Sequence, residues 1–321
     1  MMKTFKFDLQ RHAETFDPSN VLLQDARTGA IPSEEGTLVL KEFMTNSVVA
    51  QLAKPEPMTK PVKKFTYLAS GPGAYWVGEA EKIQTSKATW LQAELVAKKL
   101  GVIIPVSKEF LRYTVKDFFA QIRPAVAEAL YTKFDQAALF NVDSPYATDM
   151  TVWERITNSG NKVEQGTAAN LYLDLNDVLA LIEDGDGDPN GFTTTKKFRK
   201  DLRGVLDNNG RPIFNDARQG ATAQALGLPI GFASGKSWDY DKASLIAGDW
   251  DYARYGILQD MEYAISEDAT LTTIVDGEGD PINLFERDMF ALRVTMHIAF
   301  MTLKDDAFAA LVPKEEIGGV R

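Results

Sequence analysis

Cysteine is absent from all 321 residues. That removes disulfides, thiolate nucleophiles and cysteine-based zinc sites together, and suits a chain assembled in a reducing compartment. Histidine is nearly as scarce, with His12 and His297 the only two. Neither belongs to a His-Glu-x-x-His pair, and no Gly-x-Ser-x-Gly occurs, so zinc-hydrolase and serine-hydrolase readings lack their chemistry. His297 falls on the polar face of an alternating segment and is expected to be a solvated or interface residue. His12 lies where no packed site is expected. Long apolar runs are missing too: the longest, such as residues 100–106, have strand length, against the roughly 20 residues a membrane helix needs. The first fifteen residues carry lysines but no apolar core, so no secretory signal is expected.

A basic excess is also lacking. The chain has 45 acids against 35 bases, a net charge of −10. A protein whose task is to read nucleic acid neutralises phosphates with lysine and arginine, so that task is disfavoured. Phosphate-cradling loops are absent as well. Gly71-Pro72-Gly73 lacks the lysine and helix that would follow in such a loop, and residues 231–235 have neither. The acidic run from Asp184 to Gly191 offers oxygen ligands at alternating positions, as calcium prefers. A calcium loop starting at Asp184 would need glycine at 189 and glutamate at 195. The chain has Pro189 and Thr195, so an exposed turn ending a helix is expected, and a metal-dependent hydrolase on this loop is the outlying reading.

What remains is a patterned α+β chain. Residues 38–52 carry Leu40, Phe43, Met44, Val48 and Leu52 at helical spacing. Residues 63–68 read as a strand, followed by turn residues around Gly71-Pro72-Gly73. The returning strand, residues 89–106, changes phase: Leu91, Ala93, Leu95 and Ala97 are apolar at odd positions, then Leu100, Val102, Ile104 and Val106 at even ones. A shift of one residue moves the apolar set to the other face, so a bulge or a change of sheet is expected near Lys98-Lys99. A two-stranded ribbon of this length is not stable alone and must lie against another surface, a neighbouring copy being the natural one.

Residues 107–140 repeat apolar side chains every 3.6 positions from Val115 to Ala138, with Pro124 inside the pattern, where a kink or restart is expected. Residues 173–183 read as a helix capped by Asp174, and residues 195–206 as a second. Short buried strands are expected at 228–230 and 244–247. Leu292, Val294, Met296, Ile298 and Phe300 alternate with Arg293, Thr295, His297, Ala299 and Met301, which predicts a strand with one buried face. Residues 276–280 form a hairpin tip.

The run Pro72-Gly-Ala-Tyr-Trp-Val-Gly-Glu79-Ala-Glu-Lys-Ile-Gln-Thr-Ser86-Lys-Ala-Thr-Trp90, followed by Lys98-Lys-Leu-Gly-Val-Ile-Ile-Pro-Val-Ser-Lys-Glu-Phe-Leu111, resembles the extended loop and spine-helix start of tailed-phage major capsid proteins with the Hong-Kong-97-type fold. Gly248-Asp249-Trp250-Asp251, Tyr255-Gly256-Ile257, residues 283–293 and residues 307–313 extend the resemblance over about residues 40–313. The family implies an N-terminal arm (1–59), an extended β loop (60–106), a peripheral domain with the long spine helix (107–140 and 251–321) and an axial domain (141–250). It implies a structural protein without cofactor, metal or catalytic residues. Pentamers and hexamers would self-assemble through a procapsid into an icosahedral shell around double-stranded DNA, with scaffolding and portal proteins as partners and no membrane. Assembly would take place in the host bacterial cytoplasm. Trp76, Glu79, Lys82 and Lys87 on the loop are the implied inter-subunit contacts. An encapsulin-type nanocompartment shell shares the fold and is the alternative; the long arm favours the phage.

Phe7-Asp8-Leu9-Gln10-Arg11-His12-Ala13 is similar to a signal cut by a cysteine protease in some phages, which places a processing site between His12 and Ala13. Intact-mass measurement on purified particles should then give a chain beginning at Ala13. A full-length mass would end that expectation.

Overall fold

The computed structural model describes residues 33–314, apart from 71–72, 75, 78, 80–81, 83–84, 87–88, 208–209, 216–222, 276 and 278. His12, Ala13 and Lys87 lie outside the described residues. Among the described residues two units emerge: a larger one within 40–100, 127–260 and 296–314, and a smaller one within 33–39, 101–126 and 261–295.

The larger unit is organised by a seven-stranded sheet. Its strands are β5 (Lys162–Glu164), β6 (Gly191–Thr195), β7 (Phe214–Asn215), β8 (Gln224–Ala225), β9 (Leu228–Ala233), β10 (Leu245–Gly248) and β15 (Phe308–Val312). They lie in the order β5-β15-β10-β6-β9-β8-β7. Helix α5 (Leu171–Asp184) packs on it, its Leu175, Val178 and Ile182 meeting Phe192, Leu245 and Leu311 in one buried cluster. Asn170 caps this helix, its side chain accepting from the Leu173 N–H at 3.0 Å. Asp174, expected to be the cap, instead accepts from Gly166 and Ala168 N–H, both at 2.8 Å, and so ties down the preceding loop. An Asx side chain caps from just before the first turn, a position Asp174 does not occupy.

Residues 195–206 depart further from expectation. Gly191–Thr195 is a strand buried along its whole length, and the helix that follows, α6, spans only Arg199–Arg203. Three consecutive threonines are β-branched and suit a strand. β6 pairs antiparallel with β10 and parallel with β9, which settles the matter. Gly248 ends β10 opposite Phe308; a β-carbon there would fall 2.3 Å from the ring. Phe308 in turn stacks edge-on against Trp250, at 5.3 Å between centroids.

A second sheet runs β1 (Lys54–Pro55), β11 (Ala253–Ser266), β14 (Met289–Thr302) and β4 (Lys98–Ser107) in that order. β14 is an inner strand, and both its faces are buried. Arg293 is its exposed residue and His297 is half-buried. The one-sided strand expected from alternation is thus corrected, because small or apolar residues occupy most of the supposed polar face and Thr295 packs over Gly101.

The long helix α3 (Lys108–Phe140) passes through Pro124 without a restart. One lost hydrogen bond is tolerated in a helix of this length when its apolar stripe is packed. The helix expected at 38–52 is two, α1 (Ser33–Asn46) and α2 (Val48–Leu52). The break has a tertiary cause. Ser47 is buried and accepts from Ala50 N–H at 3.1 Å while donating to Asp135 of α3 at 2.6 Å. Asp135 also accepts from Val48 N–H at 3.1 Å and Val49 N–H at 3.4 Å. Beside it Phe43 packs on Phe134 at 5.6 Å, and Phe134 on Phe300 at 6.2 Å.

In the smaller unit, α4 (Val152–Ser159) has no part, since it belongs to the larger one. There β12 (Thr270–Val275) and β13 (Pro281–Asn283) form the expected hairpin. Leu271, Leu284 and Ala291 make its core. Lys108 pairs with Glu267 at 2.9 Å and Asp288 at 3.5 Å.

Burial pushes the Asp135 carboxyl up from 3.8 to about 7, opposed by its three donors. The folded protein therefore holds a proton that the unfolded chain sheds near pH 4. This contribution to stability is fully present below about pH 4 and lost as pH rises through about 7, a swing on the order of 4 kcal/mol. Urea denaturation of unassembled protein across that range should show the slope, and Asp135→Ala should abolish it. At neutral pH the same substitution should cost about 2–4 kcal/mol, because Ser47 and Val48 lose their buried acceptor.

Candidate assembly surface

The period-two rule shapes the surface first. β2 (Val62–Ser70) pairs antiparallel with β3 (Thr89–Val96), from Val62↔Val96 to Ser70↔Thr89. The chain then leaves this ribbon at Ala97, whose N–H donates to Pro61 at 2.8 Å, and enters the second sheet as β4. The change of sheet falls where the apolar phase flips.

Near its base the ribbon has two different faces. Phe65, Ala93 and Leu95 turn toward Met58, Leu258, Ala299 and Met301, and Leu95 is fully buried among them. The opposite face carries exposed Lys64 and Glu94, directly paired in register and joined at 2.8 Å. Glu56 fastens the base from below, accepting from Lys63 at 2.9 Å and from Arg254 at 2.7 Å. Its backbone N–H donates to Tyr255 at 2.7 Å. Nothing in the spacing of the sequence singles out Glu56; its two cations lie 7 and 198 residues away.

The far end of the ribbon is different. Trp76 is 104% exposed, Trp90 61% and Val77 39%. Glu79 and Lys82, predicted with Trp76 as contacts, are exposed beside them. Ser86 accepts from Gly73 N–H at 2.7 Å across the loop. A fully exposed tryptophan forfeits the large apolar burial that makes this residue worth having in a fold. The surface thus offers apolar contact to something outside the chain.

Chemistry is thin around it. A groove of about 690 Å³ runs beside the ribbon base, lined by Ala93, Val96, Tyr146, Met150 and Phe300 among others. Its carboxylate, Glu94, already faces Lys64. Tyr146 donates to Ile298 O at 3.4 Å, and burial raises its phenol well above the ordinary range. Among the described residues no three His, Cys, Asp or Glu side chains gather as metal ligands. The Asp184–Gly191 run is the turn between α5 and β6, with Asp186 in a left-handed conformation.

Comparison with known proteins agrees with this geometry. Residues 28–312 match the model of the phage capsid family. The chain belongs to that family. The major capsid protein of Staphylococcus phage 80alpha is 41% identical over 320 residues, covering 97% of this chain and 95% of its relative. A solved structure from Microbacterium phage Oxtober96 superposes with a TM-score of 0.70 at 28% identity, over 84% of this chain and 91% of the other. One from Mycobacterium phage Adephagia gives 0.70 at 25% identity, over 85% and 92%. The fold is therefore the Hong-Kong-97-type capsid fold, and the chain is a structural shell protein of a phage virion, built to associate with its own copies.

Base and tip should separate experimentally. Leu95→Ala should lower the stability of unassembled protein by about 2–5 kcal/mol, as for a fully buried leucine. Trp76→Ala should change it by less than about 0.5 kcal/mol yet reduce particle yield. Equal effects of the two on folding would contradict the division.

Proposed function

We infer that this chain is the major capsid subunit of a tailed bacteriophage, forming pentamers and hexamers that close into an icosahedral shell around double-stranded DNA. The observation that carries the reading is the ribbon tip, where Trp76, Val77 and Trp90 hold apolar surface that their own chain leaves uncovered. Covering such surface on a neighbouring copy removes it from water at roughly 25 cal/mol per Å². One contact of this kind is weak, but each subunit of a closed ring gives one and receives one, so the total grows with the assembly.

In this reading residues 60–106 lap the adjacent subunit, with Trp76, Glu79, Lys82 and Lys87 on the contact. Residues 1–59 act as the arm, 107–140 with 251–321 as the peripheral domain, and 141–250 as the axial domain. Scaffolding and portal proteins guide closure in the host bacterial cytoplasm, and the His12–Ala13 bond is cut during maturation. The acidic net charge suits a container that must hold DNA without gripping its sequence. No catalytic step is required of the chain.

Negative-stain electron microscopy of the purified protein should show hollow icosahedra or five- and six-membered rings. A protein that stays monomeric at high concentration, with the ribbon protected from hydrogen exchange, would sink the reading.

A further inference from the structure

β6 separates two patches of opposite charge. Beyond its C-terminal end, Lys196, Lys197, Lys200 and Arg203 are all exposed, four cations within eight residues. Lys197 lies over the Tyr240 ring at 4.2 Å, while Lys196, Lys200 and Arg203 have no carboxylate partner among the described residues. Before its N-terminal end, Glu183, Asp184, Asp186 and Asp188 are exposed, four acids within six residues. Lys304 reaches this turn, but donates to the backbone carbonyls of Gly185 at 2.7 Å and Asp186 at 3.4 Å. The negative charge there is crowded rather than balanced. Burial raises the Asp249 carboxyl; backbone hydrogen bonds from Asp251 and Asp188 oppose the rise, and the carboxylates of the same two residues add to it.

Five strand residues hold the patches about 15 Å apart, too far to neutralise one another within a copy. Solvated charges of one sign normally find partners or are interspersed with the other sign; here cations outnumber the half-exposed Asp201 beyond one end of β6, and acids outnumber Lys304 before the other. A chain that meets its own copies head to tail brings unlike ends together once per contact. We propose that the basic end of β6 on one copy docks against the acidic turn before β6 on the next, as an electrostatic register for lateral association. The inference rests on the shell-forming reading and adds to it which surfaces meet. Each such pair is individually weak and screened by salt, so its action lies in repetition and in rejecting wrong registers.

Charge reversal on the full-length protein tests this, with particle yield read by sedimentation and electron microscopy. One variant carries Lys196→Glu, Lys200→Glu and Arg203→Glu; a second carries Glu183→Lys, Asp184→Lys and Asp188→Lys. Each alone should lower particle yield by at least about tenfold, since like charges now oppose. Combining all six should restore yield to within about threefold of the original chain, since the pairing is reversed but intact. Thermal melting of the unassembled fraction checks folding, and Lys200→Glu with Asp184→Lys replaces the triple changes if either fails to fold. Undiminished yield from the single-sided variants, or no recovery in the combined one, overturns the proposal. So does a basic-side variant that assembles normally and merely loses retention of duplex DNA, which would assign that patch to phosphates. If the unaltered chain forms no particles, the shell reading itself fails, and the two failures are told apart by that control.

Discussion

At Ala97 the chain passes from one sheet to another, and most of what the molecule does follows from that step. Side chains on a strand alternate between faces, so a continuous strand cannot serve two cores on opposite sides. The phase flip after Ala97 lets Leu95 fill a pocket against Met58 and Met301 while the next ten residues join β14 in a different sheet. The ribbon is thereby held firmly at its base and left uncovered at its tip. A projection with a buried root and an apolar end suits contact with another molecule, since a rigid root limits the entropy lost when such an end is covered.

Asp135 does for the helices what Ala97 does for the strands. A carboxylate with no exposed surface is costly, and it is retained here because it collects three donors from the start of α2. It converts what periodicity reads as one helix into two and fixes the angle at which the earlier segment meets the spine helix. A leucine at this position would bury more apolar surface but leave Ser47 and two amides without acceptors. The polar solution is thus the one that specifies geometry.

Among the described residues, no three His, Cys, Asp or Glu side chains gather as metal ligands. Charged groups near the ribbon base are engaged in fastening it: Glu56 with Lys63 and Arg254, Glu94 with Lys64. Stability is invested in positioning surfaces, and a shell protein needs many modest contacts in the right register rather than one reactive centre.

Much of this was legible in the residues. The missing cysteine, the scarce histidine and the acidic balance excluded chemistries, because those chemistries need particular side chains. The phase change in residues 89–106 located the change of sheet, because strand periodicity is a local geometric fact. Trp76, Glu79 and Lys82, which the family resemblance implied as contacts, are exposed. The tertiary structure decided the rest. Residues 193–195 became a central strand because β9 and β10 lie on either side of them. β14 was buried on both faces because Phe134 and Tyr146 cover Phe300 on one, while Met58 and Leu95 cover Ala299 and Met301 on the other. α1 and α2 parted because Asp135 arrives from 88 residues away. Local pattern fixes which side chains share a face; only the assembled fold decides what that face meets, since burial and hydrogen-bond partners come from segments distant in the chain.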